Sequence, residues 1–212
     1  MSLPRSATSC EHQRVSAVRV FIASSLDGFM AADDDDLSWL PPPTNTEDHG
    51  YRSFMAQIGA LLIGRRTYDV ASGFGEWPYE ELPVLVATHR TLAAQRPTVR
   101  AVTGSIQDLV ARAQEAASGR DVYLDGGSLI RQALDSGLVS ELTVTLVPVV
   151  LGRGHPLFAG SAKRHRFALL STKSFDSGLV QLVYRPCLGE YPESSTGPMP
   201  ETPPRALRSS PA

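Results

Sequence analysis

The segment LLIGRRTYD, residues 61–69, changes abruptly from apolar residues to a glycine, two arginines and a threonine. Gly64 leaves the backbone open to a close ligand, and Arg65 and Arg66 can donate paired hydrogen bonds to a phosphate. Thr67 stands where a helix could begin, and a helix N-terminus attracts anions. These residue types suit a nucleotide phosphate, although a plain strand-to-helix turn with solvated arginines would account for the same pattern.

Two further strand ends have residues that could contact a nucleotide. DGGS, residues 125–128, follows the apolar VYL, and its paired glycines would let the backbone approach a diphosphate. The dinucleotide pattern G-x-G-x-x-G does not continue beyond Gly127, so a common glycine turn is the alternative. Thr88 and His89 follow the apolar PVLVA, where the histidine either touches a nucleotide or is simply exposed in a loop.

The loop after the first apolar run, SSLDGFMAADDDDLSWL, is rich in acidic residues. Its four consecutive aspartates lack the alternating spacing and final glutamate of an EF-hand loop, which favours a solvated acidic loop. Asp27 and Gly28 form a turn dipeptide. Trp39 could flank a flat ring or anchor the loop to the core.

Asp48 is the candidate for proton chemistry. It opens the segment EDHGYRSFMAQI, in which Tyr51, Phe54 and Met55 form an apolar stripe at helical spacing. A carboxylate at the edge of a buried face can have a raised pKa and transfer a proton. A first-turn aspartate that complements the helix dipole is the alternative.

The elements that must position these residues alternate between short apolar strands and helices, and then end in a run of strands. SIQDLVARAQEAA begins with Ser105, a favourable N-cap, and DSG, residues 176–178, marks a hairpin turn between the last two strands. This order predicts an α/β fold with three layers: a mostly parallel mixed sheet, helices on both faces and an antiparallel C-terminal hairpin. Ligands in such folds bind at the carboxyl ends of the strands.

Four segments together resemble the dihydrofolate reductase-like fold. They are ASSLDGFMA, LLIGRRTYD, VYLDGGSLI and SGLVSELTVTLVPVVLGRGHPLF, which occur in the family's order. The chain is most similar to the C-terminal reductase domain of the bacterial riboflavin-biosynthesis deaminase-reductase, in a stand-alone form without the deaminase half. The resemblance covers nearly all of residues 16–187.

The resemblance implies a reductase that uses NADPH and reduces a flat heterocycle such as a pterin or an aminouracil. It implies a cofactor site formed by Ala23, Gly64, Arg65, Arg66, Thr67, Thr88, His89, Gly126, Gly127, Ser128 and Leu129. It places a substrate site at Asp27, Phe29, Trp39, Tyr51, Asp125 and Thr145. Asp48 matches the catalytic carboxylate of dihydrofolate reductases, and Thr145 matches the threonine that supports it. Reduction of another carbonyl or nitro compound and non-catalytic sensing of NADPH are the alternatives.

The composition sets limits on partners and compartment. A net charge of −2 gives no electrostatic reason to expect nucleic acid or an anionic membrane as a partner. The histidines show no metal-ligand spacing, so no metal site is expected. Neither a secretory signal nor a membrane span is readable, and a cytoplasmic protein is expected. We expect disordered tails at residues 1–15 and 188–212, and a homodimer built on the apolar C-terminal strands.

Overall fold

A computed structural model describes residues 16–41, 47–92 and 96–187 of the chain. The two tails that the sequence predicts to be disordered lie outside the described residues. The strands are β1 Val18–Ser25, β2 Phe29–Ala31, β3 Ile58–Gly64, β4 Val84–Ala87, β5 Val99–Val102, β6 Asp121–Asp125, β7 Glu141–Val147, β8 His155–Pro156, β9 Phe167–Ser174 and β10 Val180–Pro186. The helices are α1 Tyr51–Met55, α2 Arg65–Ser72, α3 Ile106–Ala116 and α4 Gly127–Asp135.

The large sheet has eight strands in the order β5-β4-β3-β6-β1-β7-β10-β9. Pairing is parallel from β5 through β7, and β10 is antiparallel to both β7 and β9. β2 and β8 form a separate two-stranded antiparallel sheet. The fold class predicted from the sequence is therefore confirmed, whereas β2 and β8 were not foreseen.

Successive side chains of the buried central strand β3 fill two different cores. Leu62 joins a core with residues of α3 and α4, while Leu61 and Ile63 join a second core with residues of α1 and α2. Side chains alternate across a strand, so helices must cover both faces of a strand that is apolar throughout. This packing fixes the carboxyl ends of β3 and its neighbours relative to the helices that follow them.

The helix boundaries follow local sequence signals. Ser105 caps α3 in a reciprocal arrangement: its hydroxyl accepts the backbone N–H of Asp108, and the Asp108 carboxylate accepts the backbone N–H of Ser105. The helix expected to begin at Asp48 is shorter than the apolar stripe suggested. Gly50 has a φ of 84°, which lies outside the helical range, so α1 begins only at Tyr51.

Candidate functional site

A cavity of ≈ 690 Å³ opens at the carboxyl ends of four adjacent parallel strands, β4, β3, β6 and β1. All eleven residues that the sequence assigned to a cofactor line it: Ala23, Gly64, Arg65, Arg66, Thr67, Thr88, His89, Gly126, Gly127, Ser128 and Leu129. Asp125, which was assigned to the substrate, lines it as well. Residues that lie far apart in the chain meet here because parallel strands end at the same edge of the sheet.

Two helix N-termini converge on this cavity. α2 begins directly after β3, and α4 begins after β6 with Gly126 as its N-cap. A side chain on Gly126 would place its Cβ 3.1 Å from the Thr67 hydroxyl oxygen and 3.3 Å from the Gly64 nitrogen, and Gly126 has a φ of 103°. Glycine is therefore required where the two helix starts touch. The N–H groups of the two first turns and the dipoles of both helices favour a diphosphate at this place.

The two neighbouring arginines point to different parts of the cavity. The Arg65 guanidinium donates to the Asp69 carboxylate at 2.8 Å and to the backbone oxygen of Thr91 at 2.9 Å, beyond the end of β4. Arg66 pairs through Nε with Asp35 at 2.5 Å, on the side of the small β2–β8 sheet. The Arg65 side chain is 19% exposed and the Arg66 side chain is 61% exposed, so Arg66 is the freer of the two to change partner.

Asp125 has an unusual environment at the floor of the cavity. Its carboxylate accepts the backbone N–H of Gly126 at 2.6 Å and lies 3.4 Å from the hydroxyl of Tyr123. That hydroxyl also donates to the backbone oxygen of Phe21 at 2.9 Å. Burial raises the pKa of Asp125 to about 6, although hydrogen bonds from Gly126 and Tyr123 act in the opposite direction. A carboxyl group with this pKa can hold or release a proton near neutral pH.

Asp48 lies elsewhere and is not among the residues that line the cavity. Its carboxylate accepts the backbone N–H groups of Arg52 at 2.9 Å and of Gly50 at 3.0 Å, and these bonds lower its pKa from the ordinary value. The bond to Arg52 reaches the first turn of α1, which is close to the alternative for this residue, an aspartate that complements the helix dipole, although the N-cap is Gly50. Gly50 turns the chain between Asp48 and α1, so Asp48 lies before the first helical turn.

Among the described residues, Thr145 forms no hydrogen bond with the Asp48 carboxylate. Its hydroxyl accepts the Gln181 side-chain N–H at 3.0 Å, and the same amide nitrogen donates to the backbone oxygen of His49 at 2.9 Å. Thr145 therefore supports the segment before α1 through Gln181.

The other residues that the sequence assigned to the substrate also lie outside the cavity lining. Asp27 accepts the backbone N–H groups of Leu151 and Gly152, and its pKa is lowered to about 2, chiefly by a hydrogen bond from Ser25. Phe29 pairs with Pro156 in the small sheet. Trp39 packs against a small apolar cluster around Phe175. Tyr51 lies edge-on to Phe21 and lines a second cavity of ≈ 390 Å³. Burial raises the pKa of Tyr51 to about 12.

Several cavity residues had no clear sequence signal. Tyr123 reads as an ordinary apolar strand residue, and Asp35 is one letter of an acidic run. His155 begins the two-residue strand β8, and the pairing of β8 with β2 brings it to the cavity. Within residues 16–41, 47–92 and 96–187, no group of three His, Cys, Asp or Glu side chains could hold a metal ion. The same ranges contain no helix that is long and apolar enough to cross a bilayer.

Comparison with known proteins identifies the family. A family model described as the RibD C-terminal domain matches residues 16–181. The chain belongs to the RibD C-terminal domain family. The resemblance stated from the four sequence segments is thereby confirmed, and the family is one of oxidoreductase domains associated with riboflavin biosynthesis.

Several known proteins are similar to this chain in sequence or in structure. YyaP of Bacillus subtilis, a protein without an assigned function, is 31% identical over 175 residues, which are 77% of this chain and 91% of YyaP. A protein from Shewanella sp. PV-4, provisionally assigned to riboflavin biosynthesis, is 33% identical with a TM-score of 0.73 and covers 81% of this chain and 99% of its own. The Thermotoga maritima deaminase/5-amino-6-(5-phosphoribosylamino)uracil reductase is 17% identical with a TM-score of 0.62, covering 82% of this chain and 58% of its own, and shows the fold alone.

Proposed function

We propose that this chain is an NADPH-dependent reductase of a flat heterocyclic compound of the aminouracil or pterin type. The observation that supports it most is the convergence of the α2 and α4 N-termini, beside Arg65 and Arg66, on one cavity of ≈ 690 Å³. This volume falls within the range of about 300–1,000 Å³ that is usual for small-molecule sites.

The residues present fit the phosphates of a nucleotide. Gly64 and Gly126 are the N-caps of α2 and α4, the N–H groups of a first helical turn have no partner within the helix, and we assign the diphosphate to this place with Arg66 beside it. Arg65 reaches toward the loop after β4, where Thr88 and His89 line the cavity, and we assign the 2′-phosphate to that region. In this assignment, the diphosphate and the 2′-phosphate of NADPH bind in two separate regions of the cavity.

The proton chemistry is assigned to Asp125 in place of Asp48. NADPH would supply a hydride to the substrate when bound. Asp125 lines the same cavity as Ala23, the residue expected beside the nicotinamide, and its raised pKa keeps a proton available near neutral pH. The Tyr123 hydroxyl is held by the Phe21 backbone oxygen and lies within reach of the Asp125 carboxylate, so it restricts the direction in which that carboxylate can face.

The family and the cavity both support the proposed substrate class. The Thermotoga relative is named as an aminouracil reductase, and a flat ring of that kind would have Asp125 as an acidic partner. Reduction of another carbonyl or nitro compound is the second candidate, because Ile22, Leu37 and Leu40 make part of the cavity wall apolar. Of the substrate residues first expected, Asp125 lines the cavity, whereas Trp39 and the others do not.

A substrate screen tests the proposal. NADPH oxidation should be followed by absorbance with phosphoribosylaminouracils, dihydropterins, quinones and nitroaromatic compounds. Turnover of a ring substrate of the first two kinds would support the leading candidate, and turnover of only the last two would support the second. Saturable NADPH binding without turnover of any compound would instead favour a sensor of the cofactor.

A further inference from the structure

Two cationic or polar donors converge on one carboxylate oxygen at the edge of the cavity. Arg66 Nε lies 2.5 Å from Asp35 Oδ1, and His155 Nε2 lies 3.5 Å from the same oxygen. Asp35, Arg66 and His155 all line the cavity, although they belong to three different parts of the chain. The Asp35 oxygen therefore lies between Arg66 and His155, in a position that an anionic group of a ligand could occupy.

The contact between Arg66 and His155 determines what the imidazole can do. Arg66 Nη1 lies 3.3 Å from His155 Nδ1. A guanidinium has only donors, so Nδ1 accepts this hydrogen bond and the ring proton resides on Nε2. His155 Nε2 is shielded from solvent and has no hydrogen-bond partner among the described residues. The ring thus presents an unused N–H donor toward the oxygen of Asp35.

The backbone around Asp35 is held in an uncommon conformation. Asp34 and Asp35 have φ values of 57° and 62°, in the left-handed region. Two backbone hydrogen bonds close the loop, from Ala32 to the Asp36 oxygen at 3.0 Å and from Asp36 to the Asp33 oxygen at 3.1 Å. The loop therefore presents the Asp35 carboxylate to Arg66 as a preformed unit.

Arg66 is also the cavity arginine whose partner can most readily be exchanged. Arg65 is committed to Asp69 and Thr91, and Arg131 donates to the backbone oxygens of Pro156 and Leu157. The partner of Arg66 is a side chain on a surface loop. A partly exposed ion pair of this kind is weak, so a doubly charged phosphate group can compete with it.

We propose that Arg66 and His155 form a phosphate subsite at the edge of the cavity and that Asp35 is its internal competitor, which a phosphate-bearing ligand must displace. The identity of the natural ligand rests on the proposed function: it is either the cofactor diphosphate or a phosphate on the substrate. Asp35 then determines how tightly the chain binds phosphate, because the apparent affinity is reduced by the fraction of molecules in which Asp35 holds Arg66.

The test compares Asp35→Asn with a matched control. Asp33→Asn removes a neighbouring aspartate that pairs at 2.8 Å with Arg153, a residue outside the cavity lining. Calorimetric titrations should use pyrophosphate, NADPH and ribose 5-phosphate as separate probes on the full chain. We expect Asp35→Asn to tighten pyrophosphate binding about three- to tenfold, whereas Asp33→Asn should change it less than about twofold. His155→Asn should weaken it about three- to tenfold.

The outcomes separate this inference from the proposed function. Tighter binding of NADPH by Asp35→Asn would assign the subsite to the cofactor, and tighter binding of ribose 5-phosphate alone would assign it to the substrate. Tighter pyrophosphate binding in a chain that fails to bind NADPH would leave the subsite standing and refute the proposed cofactor. Unchanged or weaker pyrophosphate binding by Asp35→Asn, or an unaffected His155→Asn variant, would overturn the inference even if NADPH binds the wild type.

Discussion

The Tyr123 hydroxyl lies 3.4 Å from Oδ2 of Asp125, two residues along the same strand, and donates to the Phe21 backbone oxygen on the adjacent strand. Alternate residues of a strand face the same side of a sheet, so the phenol and the carboxylate meet at the cavity floor. The Gly126 N–H reduces the penalty for burying the charge, yet burial still raises the pKa of Asp125 to about 6. The fold therefore maintains a carboxyl group that can be protonated inside the cavity.

Replacing this carboxyl group should separate catalysis from binding. We expect Asp125→Asn to reduce turnover of an accepted substrate about 10²–10⁴-fold, the usual effect of losing a general acid or base. NADPH affinity should change little, because Asp125 is not assigned to a phosphate. Asp121→Asn, at the far end of the same strand, is the control and should retain the turnover of the wild type. An Asp125→Asn variant as fast as the wild type would refute the assignment.

Asp125 should also make stability depend on pH. Its pKa is higher in the folded chain, so the folded state binds the proton more tightly and the free energy of unfolding falls as pH rises from about 4 to about 6. A shift of two units corresponds to at most about 3 kcal/mol. Chemical denaturation should show Asp125→Asn gaining stability over the wild type above pH about 6, but not near pH 4. A constant difference across this range would contradict the raised pKa.

The two arginines should have different effects on cofactor choice. Arg65 points toward the loop after β4, and Arg66 points toward Asp35 on the side of the small β2–β8 sheet. We expect Arg65→Ala to weaken NADPH binding roughly tenfold or more while NADH binding changes little, because charge-assisted hydrogen bonds to one phosphate are lost. Arg66→Ala should weaken both cofactors to a similar degree. Equal losses for the two cofactors in Arg65→Ala would place the 2′-phosphate elsewhere.

Asp48 should contribute to stability and not to turnover. Its carboxylate accepts two backbone N–H groups at the start of α1, and Asp48→Ala removes both bonds. We expect a lower melting temperature and an unchanged rate at temperatures where the variant is folded. Asp48→Asn, which retains a side-chain acceptor, should lose less stability. A large loss of turnover in either folded variant would restore the catalytic assignment made from the sequence.

The sheet edge supports the predicted homodimer. β9 is the terminal strand of the large sheet, and Leu169 and Leu170 on it are 53% and 42% exposed. An exposed apolar edge strand tends to pair with another chain. Light scattering at micromolar concentration should give the mass of a dimer, and replacing both leucines with lysine should give a monomer. A monomeric wild type would refute the prediction.

The fold could be predicted because its signals are local or repetitive. Apolar strands, the Ser105 cap and the turn at residues 176–178 each act over a few residues, and parallel strands bring their carboxyl ends together without further information. The eleven residues that the resemblance assigned to a cofactor lie at strand ends or in the helix starts that follow them, and they meet for this reason. Asp48 was expected to open the first helix, but Gly50 has a φ of 84° and separates it from α1, which begins at Tyr51.

Long-range pairs account for what the sequence could not show. Strand β2 has three residues and β8 has two, so both are too short to show an alternating pattern of apolar and polar residues. They pair although they lie more than a hundred residues apart in the chain. Only that pairing brings Asp35 and His155 to Arg66. Tyr123 and Asp125 belong to one strand, but the burial that raises the pKa of Asp125 depends on the helices that cover it.

The most direct test of the account is a calorimetric titration of the wild-type chain with NADPH and with NADH. Two helix N-termini and two arginines around one cavity predict saturable binding of one NADPH per chain, with NADH weaker by about tenfold or more because the 2′-phosphate has its own arginine. The absence of NADPH binding, or equal affinity for the two cofactors, would contradict the assignment of this cavity.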